Sequence, residues 1–486
     1  MELGMNKAKG IFITSLFLVL LNFILFPQLF FIHIFVIFYL FVIYIKIASN
    51  TREYLYFSTI LFALADTNLV FPIGSRYAVY YYYISLLAYI LVVFYYSKGK
   101  LVNFKLKNKN KYFIFICILL IYILFSIFLA ADKKMAVKAI INYLIMLSFI
   151  LMIVIENKKY EALKKSFRFF TWIYSGILFL GTLEVFGIKY GARNHYSDLG
   201  IFVQQYPFLK RVPEVFFYNP NNYAVVLVLG MSVLFIREAL SQENKGKWLY
   251  RILFLISQIN LIFTTSRTAW ITIFVVYAAA FIFFILKKSF KETNKTVKFG
   301  LITLLVFVIF SFIPSMSPYY GKFNSTPILR KLNLYNAKQT VSNNTPEIKV
   351  GDSGSINERL TLMVDVADGV IINKHYLGFG AGNIGNYIKY KDNTYGIYNV
   401  HNLWFEILGD FGIIIFLYFI YIYLSLILDL IKKGRNENRE IKKYSYMMAL
   451  AMGAFVLLAF GPSSVITFEP FWILMGLASA ITVNNY

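Results

Sequence analysis

The sequence predicts an all-α polytopic membrane protein of about 12–14 transmembrane helices with one large extracytoplasmic loop. Three observations predict it. Of its 486 residues, 59% are hydrophobic and 19% aromatic, and the mean hydropathy is +0.63, above the range of soluble domains. Apolar runs of about 17–25 residues, the length that spans a bilayer as helix, recur almost from end to end. Finally, Lys and Arg collect in alternate connections between those runs, as the positive-inside rule requires of a multi-span chain.

The spans fall at roughly 11–26, 28–47, 54–72, 77–97, 112–131, 137–155, 168–187, 222–238, 249–264, 268–286, 298–314, 407–431, 444–461 and 467–483. The first run is followed directly by the second with no small-residue cleavage signal, so it is expected to be a retained span and not a signal peptide. Lys98 to Lys111, Lys158 to Arg168, Arg237 to Arg251, Lys287 to Lys298 and Lys432 to Lys443 hold more than half of the 48 Lys and Arg. Lys7, Lys9, Lys46 and Arg52 fall on the same side. Short loops on the other side hold chiefly Arg76, Lys133 and Lys134. Both termini are therefore expected to be cytoplasmic.

The net charge of +24 would point to nucleic acid in a soluble protein, but here the basic residues sit in short inter-span loops, and no nucleic-acid partner is expected. The one cysteine, Cys117, lies within an apolar run, which excludes an intrachain disulfide and disfavours a thiolate metal site. Two outer segments are long, Ile188 to Asn222 and Pro314 to Phe405. The second carries turn formers (Asn343-Asn344-Thr345-Pro346 and Gly351-Asp352-Ser353-Gly354) and then an amphipathic piece from Asn357 to Ile372. Long connections of this kind are commonly functional. The chain divides into N-terminal helices at 1–210, helices bearing arginine motifs at 211–314, the large outer loop at 315–405 and C-terminal helices at 406–486.

Chemistry-bearing residues gather on the outer side. His401 opens His401-Asn402-Leu403-Trp404-Phe405-Glu406, where the large loop rejoins an apolar run. An ordinary imidazole titrates near 6.5 and can accept a proton at neutral pH. Glu406 and Asp410 follow at five and nine residues, about 140° and 180° round a helix from His401. They are expected to orient the loop and not to share the histidine's face. Of the other histidines, His33 sits in an apolar span with no ionisable neighbour, and His195 and His375 lie in outer loops.

Thr264-Thr265-Ser266-Arg267 joins two spans too closely for a real loop. A charge at bilayer depth costs at least about 2.5–3.5 kcal/mol. Arg267 must therefore snorkel from a hairpin tip or line a polar cavity, to which Ser266 and the two threonines would contribute hydroxyls. Arg211 precedes Asn219-Pro220-Asn221-Asn222, ordinary helix-start chemistry. Arg359 precedes the amphipathic piece, where the plain alternative is an exposed surface charge. Gly378-Phe379-Gly380-Ala381-Gly382-Asn383 follows no strand and precedes no Lys-Ser/Thr, so a nucleotide reading fails; it is expected to be a flexible turn. No metal-ligand spacing occurs, and no cofactor is expected. An anionic substrate would have to be met by arginine, whose guanidinium presents a planar fork to phosphate oxygens.

The order of these motifs, Arg then Asn-Pro-Asn, Ser-Arg at the head of a later span, a long outer loop with Arg and a Gly-rich turn, then His-Asn with an acid and Gly412 closing, resembles the O-antigen ligase / Wzy-type polysaccharide polymerase superfamily from about Arg211 to Gly412. The resemblance implies a GT-C-like, metal-independent glycosyltransferase of the bacterial cytoplasmic (inner) membrane with its site on the outer face. It implies that Arg211 and Arg267 hold the diphosphate of an undecaprenyl-linked glycan and that His401 activates the acceptor hydroxyl. Arg359 would assist from the loop, with Asp410 in support. The motif's usual glycine between Arg211 and Asn219 is absent; Glu214 or Val215 stands there. The implied partners are undecaprenyl-diphosphate-linked donor and acceptor, the bilayer, a chain-length regulator and a flippase. A polymerase is favoured over a ligase because the excess of Lys, Asn, Ile, Phe and Tyr suggests an AT-rich genome, and such bacteria often lack lipopolysaccharide. A lipid-linked oligosaccharide flippase is the alternative of another class, but it would place ionisable residues near the midplane and keep short loops.

Overall fold

The computed structural model describes residues 5–73, 77–96, 111–188, 190, 207–240, 247–324, 349–436, 439–462 and 464–486. His195, Arg76, the basic stretch from Lys98 to Lys109 and the Asn343-Asn344-Thr345-Pro346 turn lie outside them.

Every expected span coincides with a helix. In chain order these are α1 (Met5–Leu25), α2 (Phe30–Val42), α3 (Thr51–Ala65), α4 (Tyr81–Tyr96), α5 (Lys111–Phe125), α6 (Lys133–Glu156), α7 (Tyr160–Val185), α8 (Pro220–Leu240), α9 (Lys247–Phe263), α10 (Arg267–Leu286) and α11 (Phe290–Ser311). Past a short helix α12 (Ser317–Asn324), the outer loop contributes α13 (Ser355–Ala367) and α14 (Ile384–Lys391); α15 (Leu403–Asn436), α16 (Arg439–Leu458) and α17 (Glu469–Val483) complete the chain. Among the described residues, nine segments are long and apolar enough to cross a membrane, and α4, α9 and α17 supply shorter apolar helices. The chain is an all-α polytopic membrane protein.

Side chains set the helix starts. The Asn50 side chain accepts the Glu53 N–H at 2.9 Å while the Glu53 carboxylate accepts the Ser49 N–H at 2.9 Å, so each satisfies a donor at the head of α3. Asp132 accepts the N–H groups of Lys134 and Met135 to start α6.

Two local expectations are corrected, where the third expected span ends and where the fourth begins, since α4 starts at Tyr81 and not at 77. The third span stops at Ala65, where Asp66 turns to φ 31°, and does not reach 72. Beyond it β1 (Val70–Ile73) pairs antiparallel with β2 (Tyr77–Tyr80), a hairpin built from Val, Ile, Phe and Tyr, which favour extended backbone. In the large loop, the amphipathic piece from Asn357 to Ile372 is helical, continuing from α13 into a π-turn at Asp368–Ile372. The described part of that loop has its own small core of Leu362, Val366, Val370, Ile384, Ile388 and Val400, closed by Leu408 of α15. It is a docked helical cap and not an irregular excursion.

The helices α15 and α16, α6 and α17, α3 and α4, and α8 and α16 pack most extensively. The starts of α8, α10 and α15 and the ends of α9 and α16 fall at one end of the bundle, where the motif residues lie.

Candidate active site

The α9–α10 hairpin turns through Thr264-Thr265-Ser266. Thr265 closes it with φ 56°, donating its N–H to the Ile262 carbonyl at 3.1 Å. All three hydroxyl residues are buried, and Arg267 is half-buried as the first residue of α10. Arg267 thus stands at the tip of a hairpin whose hydroxyl residues are buried. Tyr319 of α12 packs beside the end of α9, its ring 4.7 Å from Phe263 and its hydroxyl donating to the Phe208 carbonyl at 3.1 Å. Arg211 ends the 3-10 turn Pro207–Arg211, exposed, with its charge acting on Tyr319. The Arg211 charge thus lies near Tyr319, which packs on the end of α9.

Between Arg211 and α8 the chain passes through two left-handed residues, Val215 (φ 56°) and Tyr218 (φ 68°). A β-branched residue there is strained, and such conformations persist only where the surroundings enforce them. The surroundings include Glu184 of α7, whose buried carboxylate accepts the N–H groups of Glu214 at 2.7 Å and Val215 at 2.8 Å. Val215 thus adopts, with side-chain help, a backbone that glycine adopts freely. Asn219 then caps α8 by accepting the Asn222 N–H at 2.9 Å. The Asn222 side-chain oxygen is buried with no hydrogen-bond partner among the described residues.

His401 stands on a third left-handed turn (φ 55°), just before Asn402 caps α15 by accepting the N–H groups of Trp404 at 2.9 Å and Phe405 at 3.3 Å. Arg359 of α13 is half-buried beside it, not a free surface charge; its guanidinium donates to the Phe460 carbonyl at 2.7 Å. The neighbouring Gly461 abuts α8: a Cβ there would lie 3.3 Å from Val225 and 3.8 Å from the Asn221 carbonyl. The α16–α17 connection thus bridges the cap and the Asn-Pro-Asn helix start. Burial, with the Arg359 charge second, lowers the His401 pKa from 6.5 to about 4. The imidazole is therefore neutral at physiological pH, and its Nδ1 is buried without a partner among the described residues.

The two carboxylates do not contact the imidazole in a dyad. Glu406 accepts the Ser464 hydroxyl at 2.6 Å and the Val465 N–H at 3.1 Å, fixing the α16–α17 connection. Asp410 accepts the N–H groups of Gly382 at 2.7 Å and Ile384 at 3.2 Å, fixing the glycine-rich turn at the head of α14. That turn is not flexible. Its backbone is bonded to α15 through Phe379 N–H to Gly409 O and Gly380 N–H to Asp410 O.

Gly412 is the other half of this junction. With φ 74° it breaks α15, and a Cβ there would meet the Tyr376 carbonyl at 2.1 Å. Gly412→Ala is therefore expected to destabilise the protein by roughly 2–4 kcal/mol, combining a left-handed penalty with a backbone clash. Thermal unfolding in detergent checks this, and an unchanged midpoint would remove the steric argument.

The sequence pointed to His401, Arg267, Arg211 and Arg359 but missed Glu184, Tyr319 and the Phe460–Val465 connection. Glu184 carried a signal, being a lone carboxylate inside an apolar run. Phe460 carried none, because its part is played by a backbone carbonyl. Of the remaining histidines, His33 is hydrogen-bonded to Asn22 at 2.7 Å, and His375 lies against the Phe379 ring.

The structure is thus a multi-span helical bundle with a docked cap, arginines and an imidazole near one end, and comparison with known proteins finds two similarities. Residues 252–420 match the model of the O-antigen ligase family (Wzy_C), so this segment is similar to that family. It contains Arg267, Arg359, His401 and Asp410, whereas Arg211 precedes it. The chain is also similar to the teichuronic acid biosynthesis protein TuaE of Bacillus subtilis (strain 168), 24% identical over 465 residues, covering 91% of this chain and 87% of that protein.

Proposed function

We propose that the protein is a polysaccharide polymerase of the bacterial cytoplasmic membrane, transferring a glycan from undecaprenyl diphosphate onto a lipid-linked repeat unit at the outer face. The observation that carries the reading is the neutral imidazole of His401 held beside Arg359, at the bundle end that also bears Arg267. The acceptor hydroxyl attacks the anomeric carbon and gives its proton to His401. The anomeric carbon–phosphate oxygen bond breaks, and undecaprenyl diphosphate leaves with the electron pair. Arg267 and Arg211 meet the charge that develops on the diphosphate, Arg359 assists from the cap, and the reaction needs no metal. Glu406, Asp410, Asn402 and Ser266 are positioning residues that fix the turns around the base and the arginine. A chain-length regulator and a flippase would act beside it.

The matched family's description supports a second reading, transfer of a finished glycan to another surface acceptor by the same donor chemistry. The relative's place in teichuronic acid biosynthesis supports a surface polymer as product. Purified protein in nanodiscs, given the host's undecaprenyl-diphosphate repeat units and EDTA, decides between them. A ladder of products on a gel establishes the polymerase. Transfer only after a second acceptor is added establishes the ligase, and a reaction that EDTA abolishes refutes metal independence.

The position of His401 predicts an unusual pH profile. Because kcat/KM reports the free enzyme, its acid limb is expected near pH 4. An ordinary imidazole would be only about 3% neutral at pH 5. Arg359→Ala removes the lesser of the two causes, so the limb should move up but stay below 6.5. A wild-type limb at 6.5 would show that the imidazole is not the buried one described. Stability follows the same sign: burying a neutral histidine stabilises fully above pH 6.5, and that contribution is lost as pH falls from 6.5 toward 4.

A further inference from the structure

The end of the bundle opposite Arg267 and His401 carries a feature that glycan transfer does not use. An apolar cavity of ≈ 270 Å³ runs between α10, α15 and α16. Its α10 wall extends from Thr272 to Phe284, about 18 Å of helix at 1.5 Å per residue. Val275, Ala279 and Gly453 of its lining are exposed, so the cavity is a groove open to the side of the bundle. On α16, nothing lies within 4 Å of the place a Cβ would take at Gly453.

One end of the groove is closed by Tyr446, which stacks edge-on against Phe283 at 5.1 Å. Its hydroxyl accepts a hydrogen bond from the Lys287 ammonium, which also lies 4.4 Å from the centre of the Tyr446 ring. The charges acting on Lys287 are both positive, Lys442 and Arg435; together with burial, the larger cause, they lower its pKa to about 8. Nearby carboxylates are engaged elsewhere: Glu440 with Lys443, Asp429 with Lys111, and Glu238 with Arg251. Lys and Arg are common on this side of a multi-span protein. What distinguishes Lys287 is that Lys442 and Arg435 both repel it beside the Tyr446 end of a long apolar groove, an arrangement that an anion joined to a hydrocarbon chain would relieve.

We propose that the groove is a binding site for an anionic phospholipid, with an acyl chain along α10 and α16 and the headgroup phosphate among Lys287, Arg435 and Lys442. The lipid belongs to the leaflet opposite the active site, which sets it apart from the lipid-linked substrates. A polyprenyl carrier would bring its diphosphate to the Arg267 end and leave the three cations unmatched. The site stands on the groove and the cations alone and does not depend on the transfer reaction.

Native mass spectrometry of the delipidated full chain, titrated separately with dioleoyl phosphatidylglycerol, dioleoyl phosphatidylcholine and undecaprenyl diphosphate, tests the proposal. Wild type should retain one phosphatidylglycerol at least tenfold more tightly than phosphatidylcholine. Lys287→Ala and Arg435→Ala should each weaken it about fivefold, the worth of one basic residue facing an anionic lipid. Gly453→Leu should abolish retention by filling open space with a good helix former, a change that preserves folding. If Lys287→Ala fails to fold for want of its Tyr446 contact, Lys442→Gln takes its place on the half-exposed rim. Equal retention of the two phospholipids would overturn the proposal. So would phosphatidylglycerol binding indifferent to Gly453→Leu, or a groove whose filling displaces undecaprenyl diphosphate alone.

Discussion

His401→Ala lowers glycan transfer by about 10²–10⁴-fold, the span that a positioned general base contributes. The loss should appear in kcat with little change in the apparent affinity for donor, because the diphosphate is assigned to the arginines. The side chain stands on a turn before Asn402, whose capping bonds to Trp404 and Phe405 do not involve it, so the variant should fold. His401→Gln preserves polarity without a base and should be as inactive as alanine. Its left-handed φ of 55° is one that histidine tolerates better than branched residues do, and a glycine there would keep the fold while removing the chemistry. Thermal unfolding beside the gel assay separates the two outcomes. Substantial activity in folded His401→Ala would refute the base.

Arg267→Ala gives the second large effect, a loss of about 10²–10³-fold, the size associated with removing one preorganised donor from a developing anion. Arg267→Lys should recover little of it. An ammonium is a compact point charge and does not reproduce a fork that meets two phosphate oxygens at once. Removing the half-buried guanidinium also leaves Thr264, Thr265 and Ser266 without their charged neighbour, so a folding control is needed. Comparison of donor KM with kcat in the folded variant decides the assignment: a KM change alone would mark Arg267 as a binding residue with no preference for the transition state. Arg211 is exposed and precedes the matched family segment, so Arg211→Ala should be milder than Arg267→Ala.

The same residues show how far the sequence could be read. Span positions followed from apolar length and from the alternation of basic connections, because the bilayer imposes both on any chain that crosses it. The third span was misplaced because Val70, Phe71 and Ile73 are apolar enough to extend a helix and equally suited to a strand. Arg267 was legible because a charge between two apolar runs has few places to go. Helix periodicity gave the expected separation of Glu406 and Asp410 from His401, but His401 stands on a left-handed turn before α15, so it is the bonds of the two carboxylates to Val465 and to Gly382 and Ile384 that hold them apart from it. The glycine-rich turn was misjudged as flexible because glycine permits mobility and close packing alike. Only the backbone of α15 beside it decides which.

By itself the sequence determined a multi-span helical membrane protein and the residue types available at its polar connections. Those follow from solvent: hydrocarbon selects the spans, and ionisable groups must escape it. Only the tertiary structure decided that His401 is a neutral imidazole beside Arg359, that Glu184 enforces the strained turn at Val215, and that the Phe460 carbonyl anchors the outer cap. These depend on burial and on backbone groups brought together from distant parts of the chain, and no local pattern records which carbonyl or charge a side chain will meet.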